Sequence, residues 1–341
     1  MVKLRGFLSR LFWTSCLGVT LFGCAGKEVT RVQDLDQSAK EEVEVPHELL
    51  NRFKVTDAGA SPSPTPAPVL QVTESKRSKR KKKSLKKQIT SVDSIPFQYP
   101  TRRPKVDPFW VGEKLTYAIT FFGVQAGDLT LEVLPSKEVN DRKVYHLKGS
   151  AKTAAVFNWV YRLNDWIESY WDWDGLFSHR FRLVLDETKQ SRDALELYDH
   201  QKKQSFYWNR RNHVTKGFSE TKEYNPITPF SQDSFSALFY LRSLPLEDGK
   251  VYEFPVNTEG KSWDAVVTVV RREKCDYPGV KTQCIVVKPQ TRYNGVMKQE
   301  HGDSFIYLTD DDRRFVVRVE AKVKIGTVVA ELESVVPGEK Q

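Results

Sequence analysis

The 341-residue chain is 39% hydrophobic, enough for one large domain or two small ones. Of its 53 basic residues, three precede Leu11 and nine lie between Lys76 and Lys87; the remaining 41 face 44 acidic residues. The net charge of +9 therefore comes from two short stretches, and a broadly basic, nucleic-acid-binding globular surface is excluded.

Lys3, Arg5 and Arg10 open the chain, Leu11 to Phe22 is a short apolar run, and Leu21-Phe22-Gly23-Cys24 closes it. A charged start, an apolar stretch of roughly 7–15 residues and small residues at the cut are the layout of a secretory signal. A cysteine directly after the small residue resembles a bacterial lipoprotein signal, with Phe22 an unusual member of the box. The resemblance implies a 1–23 signal peptide and acylation of Cys24. An ordinary signal cut elsewhere and an uncleaved anchor helix are the other readings. Ala25, where Asp would hold a lipoprotein back, implies an outer-membrane lipoprotein facing the periplasm in a Gram-negative cell.

Residues 24–105 read as a disordered tether. Glu41, Glu42, Glu44 and Glu48 form an acidic patch with a short helix before the linker. Ser61-Pro62-Ser63-Pro64-Thr65-Pro66-Ala67-Pro68 favours extended polyproline II and acts as a semi-rigid spacer. Lys76, Arg77, Lys79, Arg80, Lys81, Lys82, Lys83, Lys86 and Lys87 follow, a self-repelling solvated block. Such a tract contacts anionic lipid headgroups or peptidoglycan carboxylates, at about 1 kcal/mol per basic residue near an anionic surface, or serves only as a soluble spacer. The export signal argues against nucleic acid as its partner.

From Phe109 onward the period is two. Leu115, Tyr117, Ile119 and Phe121 alternate with Lys114, Thr116, Ala118 and Thr120, and Leu129, Leu131 and Val133 continue the pattern. So do Phe181 to Leu185, Phe315 to Val323 and Val328 to Leu332. Turn residues separate the runs at Asn140-Asp141, Asp172 to Gly175, Asp248-Gly249, Tyr277-Pro278-Gly279 and Thr309 to Asp312. Many short alternating strands with regular turns predict an all-β domain of antiparallel strands, wet on one face. One segment differs. Asp233 to Pro245 reads as a helix, apolar nearly all round and so buried against the sheet, capped by Asp233 or Ser231 and ended by Pro245. A second short helix is expected from Ala154 to Val160.

Cys16 leaves with the signal and Cys24 takes the lipid, so Cys275 and Cys284 remain. Outside the cytoplasm the pair is expected to be a disulfide across the Tyr277-Pro278-Gly279 turn, with two buried thiols as the alternative.

Gly112 to Tyr117, then Gly123 to Gly127, resemble the opening of the DUF3108 family. Asp233-Ser234-Phe235-Ser236-Ala237-Leu238-Phe239-Tyr240-Leu241-Arg242 is similar to that family's D-x-x-S-A-L-x-Y-x-R helix. Ile306 to Arg314 followed by Gly326 resembles its last strands, with Tyr307 where Trp is usual. The likeness covers about 108–336 and implies an exported β-rich domain of unknown function, over 106–337 here, with no catalytic residues to transfer. A large curved antiparallel sheet, an open barrel or sandwich with one packed helix, is the expected architecture.

No metal-ligand spacing joins the six histidines, and no nucleophile elbow or phosphate loop is present, so no catalytic residue, metal or cofactor is assigned. His301 beside Asp303 is read as solvated, and Asp310-Asp311-Asp312 as a tight charged turn. Asp233 and Arg242, nine residues apart, belong near opposite helix ends, one as a cap and the other paired with a sheet carboxylate. Trp159, Tyr161, Trp166, Tyr170, Trp171 and Trp173 crowd fifteen residues, with aromatics on both faces of an expected strand. They are core plus edge protection, or a sugar- or lipid-binding surface. Trp166, Tyr170, Trp171, Trp173, Asp233 and Arg242 are thus the candidate ligand contacts. The leading expectation is a lipid-anchored, non-catalytic binding or assembly module for an envelope lipid, glycan or protein. A structural tether using the polybasic tract comes second, and an enzyme third.

Overall fold

The computed structural model describes residue 31, residues 46–58 and residues 97–340 apart from 294–295, 299–301 and 324–325. The helix α1 (His47–Arg52) and the short strand β1 (Thr56–Asp57) come first. Eight long strands then follow one another: β2 (Val111–Phe121), β3 (Val124–Val139), β4 (Arg142–Thr153), β5 (Asn164–Asp172), β6 (Ser178–Asp186), β7 (Gln190–Asp199), β8 (Gln204–His213) and β9 (Gly217–Pro226). After helix α2 (Ser236–Ser243) come β10 (Val251–Thr258), β11 (Lys261–Tyr277), β12 (Val280–Tyr293), β13 (Val296–Lys298), β14 (Phe305–Thr309), β15 (Val316–Val323) and β16 (Gly326–Glu339).

These strands form one antiparallel sheet in the order β10, β11, β12, β14, β15, β16, then β2 through β9, with β1 added to β3 and β13 to β12. Strands β9 and β10 are its two edges, so the sheet curls without closing. Side chains bridge the gap instead. Tyr198 donates to the carbonyl of Asn257 (2.9 Å), and Asn257 and Ser205 donate to buried Glu196 (2.6 and 2.7 Å). Burial pushes the Glu196 carboxyl up to about 7. Because neighbours are antiparallel, connections alternate between two rims. The upper rim carries the β2–β3, β4–β5, β6–β7, β8–β9 and β15–β16 connections; the lower carries β3–β4, β5–β6, β7–β8 and β11–β12.

The inner face is built by the period-two pattern. Leu115 lies opposite Leu131, Leu131 opposite Gly149, and Gly149 opposite Ile167. Helix α2 lies against this face, with Phe235, Ala237, Phe239 and Leu241 buried in the same cluster. Gly149 lets it approach: a Cβ there would sit 3.0 Å from the Phe235 ring and 2.8 Å from Ile167. The predicted turns are in place. Asn140 and Asp141 both take left-handed φ (54° and 57°) in the β3–β4 hairpin, as a two-residue turn demands. Pro278-Gly279 turns β11 into β12, and Cys275 and Cys284 are disulfide-bonded across that hairpin. Asp311 accepts from Thr309 Oγ1 and the Arg313 and Arg314 N–H groups, making the acidic triplet a tied turn.

Two expectations are corrected. Ala154 to Val160 holds only a 3-10 turn at Ala155–Phe157, because Ala154 is extended and its N–H is taken by Ala126 O of the neighbouring strand β3 (3.0 Å). Residues 46–58 and 97–105 are not free tether. Phe53 is fully buried among Val139, Val144, Tyr170, Leu195, Leu197 and Phe206 on the outer face. Arg52 binds Asn140 and Asp199, Arg180 donates to Phe53 O, and Thr56 and Asp57 pair with Glu138 and Lys137. This part of the outer face is apolar, so it needs a cover, and α1 supplies one with Leu49, Leu50 and Phe53. Farther on, the Arg102 and Arg103 N–H groups donate to Asp174 O, and Tyr99 stacks on Phe177. The Pro-rich and polybasic stretches and Cys24 lie outside the described residues, as does His301; Asp303 pairs with Lys288. No helix among the described residues is long and apolar enough to cross a membrane.

Phe53→Ala removes a fully buried ring, a change that costs about 3–5 kcal/mol. A six-residue helix adds too little of its own to hold against that loss. Limited trypsin digestion is therefore expected to cut the variant at Arg52 and Lys54, sites protected in the parent; equal protection in both would refute the docking.

Candidate functional site

Helix α2 carries the two motif charges at opposite ends, and neither touches the other. Asp233 Oδ1 accepts the N–H groups of Phe235 and Ser236 (2.7 and 2.6 Å), the capping role expected of it. Its Oδ2 accepts the hydroxyls of Ser169 and Ser178 (2.5 and 2.7 Å). Burial pushes this carboxyl above its ordinary value, against those four donors. At the other end Arg242 forks onto Glu113 of β2 (2.6 and 2.9 Å), and Arg313 reaches the same carboxylate (2.7 Å). The Arg242 and Glu113 side chains are each only 2% exposed, so both are spent inside the fold.

The aromatic candidates divide by strand face. Trp171 is buried on the inner face and donates its indole N–H to Gln232 (2.7 Å). Trp173, just past β5, stacks on Tyr145 (4.2 Å), with Lys143 Nζ 3.6 Å from its ring. Tyr170 faces outward, buried under α1 and stacked on His146. Trp166 also faces outward, half-buried between Lys148 and Arg182. Trp159 is the exception at 85% exposed, on the β4–β5 connection.

Two charged clusters escaped the sequence analysis. Asp172 accepts from Arg142 and from His179 Nε2 (2.9 Å), and both Asp172 and His179 are fully buried. Burial works to raise the Asp172 carboxyl, but the hydrogen bonds from Arg142, His179 and the Gly175 N–H outweigh it and hold it well below the usual carboxylate range. Burial lowers His179 as well. Phe230 N–H donates to His200 Nδ1, so His200 Nε2–H donates to Ser178 O, and burial holds this ring neutral, at about 3. An Asp–His pair has the makings of acid–base chemistry, but here Phe177 packs on the ring and both side chains are fully buried. The signal for it is only long-range, a β5–β6 turn whose Asp and His flank an Arg from β4. At the upper rim, buried Asp165 accepts the Asp186 N–H (2.9 Å) and meets Glu187, which accepts from Tyr161 and Gln190. Burial, then the adjacent Glu187 charge, pushes Asp165 up to about 8. A shallow hollow of about 560 Å3, lined by Lys274, Cys275, Asp276, Lys281, Thr282 and Gln283, borders the disulfide and opens to solvent. Among the described residues no group of three or more His, Cys, Asp or Glu side chains could hold a metal ion.

One family model, described as a protein of unknown function, matches residues 116–333, from within β2 to within β16 and through helix α2. The chain belongs to the DUF3108 family. The DUF3108 match contains the capped helix and the disulfide hairpin, but Glu113, the partner of Arg242, and the α1 segment precede it. No curated protein matches the chain. Among solved structures it is similar to a beta-barrel-like protein of the domain of unknown function DUF1849 from Brucella abortus. That likeness is 11% identical and covers 67% of this chain and 98% of the other, with a TM-score of 0.44. A protein described as exported, with a YmcC-like fold, from Bacteroides fragilis is 12% identical over 66% of this chain and 96% of that one, with a TM-score of 0.30.

Glu113→Ala leaves two guanidinium groups facing each other without an anion in the DUF3108 interior. Breaking a buried pair in this way costs about 3–5 kcal/mol, and urea unfolding is expected to read a loss of that size. Asp165 gives a pH signature. Its carboxyl is protonated in the fold and ionised in the unfolded chain between pH 3.8 and about 8, so stability falls as pH rises through that window. Asp165→Asn keeps the acceptor for Asp186 N–H and removes the titration. Its thermal midpoint is expected to match the parent near pH 4 and exceed it at pH 8; parallel curves would refute the assignment.

Proposed function

We propose that this DUF3108 protein is a lipid-anchored envelope protein whose β domain is a non-catalytic binding or assembly module. What carries the reading is the way the interior is spent. Asp233, Arg242, Trp171 and the Asp172–His179 pair are buried and bonded within the fold, which leaves recognition to the surface. The Cys275–Cys284 bridge supports export, since disulfides persist in oxidising compartments. The signal ending at Gly23-Cys24 supports acylation, and Ala25 supports the outer membrane.

The second reading makes the protein a spacer whose polybasic tract, Lys76 to Lys87, grips peptidoglycan or anionic lipid. It is favoured by the docking of the chain on both sides of that tract, at Asp57 and at Tyr99.

The test is Cys24→Ser in the native host. The parent protein is expected in the membrane fraction, with an acylated Cys24 at its mature N-terminus by mass spectrometry. The variant is expected in the soluble envelope fraction. A parent cut elsewhere, or a variant fractionating like the parent, overturns the anchored reading.

A further inference from the structure

Exposed large apolar residues occur at several places, but the most exposed of them cluster. The three most exposed large ones among the described residues are Trp159 (85%), Phe122 (73%) and Val156 (67%), and all stand on the upper rim. Phe122 lies in the β2–β3 turn, Trp159 and Val156 in the β4–β5 connection. The Ala154 N–H to Ala126 O bond (3.0 Å) sets the start of the β4–β5 connection beside the first residues of β3, which follow the Phe122 turn. Val124 and Val160 add to the same patch. The patch continues sideways through backbone bonds, Thr188 N–H to Arg162 O (2.9 Å) and Val214 N–H to Lys189 O (3.1 Å). Lys152, Lys216 and Lys322 stand exposed along this rim. Solvent contact alone does not favour such a cluster of apolar tips.

The Phe122 turn adds an independent sign. Phe121 pairs with Val124, so Phe122-Gly123 is a two-residue hairpin turn, with φ of 50° and 75°. Positive φ at both central positions suits Asn, Asp or Gly, and a bulky aromatic there is strained. The fold thus tolerates a costly residue in order to project an aromatic ring into solvent, a pattern that points to function.

The anchor fixes what the rim faces. Arg31 is ion-paired with Asp186 (3.1 Å) at the upper end of β6, where Arg162 binds the same carboxylate. Cys24 precedes Arg31 by seven residues, a reach of at most about 25 Å. We propose that the upper rim is a membrane-docking surface, with Phe122, Trp159 and Val156 seated in the interfacial layer of the bilayer that carries the anchor and the rim lysines beside the headgroups. Indole and phenyl rings settle at that depth because one part of the interface is apolar and the other wet. The anchor makes the second contact intramolecular, so a weak insertion becomes populated. The orientation rests on the anchored reading above; the affinity of the rim for lipid does not.

The experiment uses the mature chain carrying Cys24→Ser, which has no acyl group, and vesicles of phosphatidylethanolamine and phosphatidylglycerol at high salt, which screens attraction between basic residues and the headgroups. Co-sedimentation and quenching of tryptophan emission by brominated lipid report insertion. The unacylated chain is expected to bind and be quenched. Phe122→Ser with Trp159→Ser is expected to weaken partitioning by roughly tenfold or more, the effect of withholding two aromatic side chains from the bilayer. Phe122→Asn separates docking from folding. Asn-Gly suits the turn, so this variant is expected to melt higher than the parent and still bind vesicles less well. Vesicle binding that none of these variants reduces, or no quenching of the parent, overturns the proposal and leaves the rim to a protein partner. Failure of acylation at Cys24 is read separately, by mass, and leaves the vesicle result standing.

Discussion

Helix α2 is fastened inside the curved sheet by a buried carboxylate at its start and a buried guanidinium at its end, and the sheet wraps it closely because Gly149 leaves room for Phe235. Both charges would be expensive to bury alone. Each is therefore matched where it sits: Asp233 by two backbone N–H groups and two hydroxyls, Arg242 by Glu113 and two main-chain carbonyls. Removing the helix would expose the inner face of a sheet that has no backbone closure between β9 and β10. The plug and the sheet thus define each other, and the interior is a core.

That arrangement redirects the question of function from inside to outside. An open barrel with an apolar hollow would invite a small ligand, but here Trp171, Tyr145, Phe109 and Phe239 fill the space around α2 with ring-to-ring contacts. What remains accessible is unequal between the rims. The upper one presents aromatic tips, whereas the lower one is tied down by the segments that precede β2 and by the disulfide hairpin.

Much of the fold was legible because local rules and the global answer agree. Period-two runs such as Leu115 to Phe121 became strands, Asn140-Asp141 and Pro278-Gly279 became turns, and Asp233 became a cap. The family resemblance was equally legible, because its motif lies on one continuous helix. Other features were hidden for definable reasons. His47 to Arg52 docks because Leu195, Leu197 and Phe206 point outward, and those partners lie about 150 residues away in sequence. The pairing of His179 and Asp172 with Arg142 needs three strands in register before it exists. Phe122 carries no turn signal; its place in a tight turn breaks the usual turn chemistry, and only the pairing of Phe121 with Val124 reveals it.

The docking of residues 46–58 changes the mechanics of everything upstream. A pull on the chain at Pro46 is taken by α1 and β1, through Phe53 among Val139, Val144 and Phe206 and through Arg52 on Asp199, before it reaches the rest of the sheet.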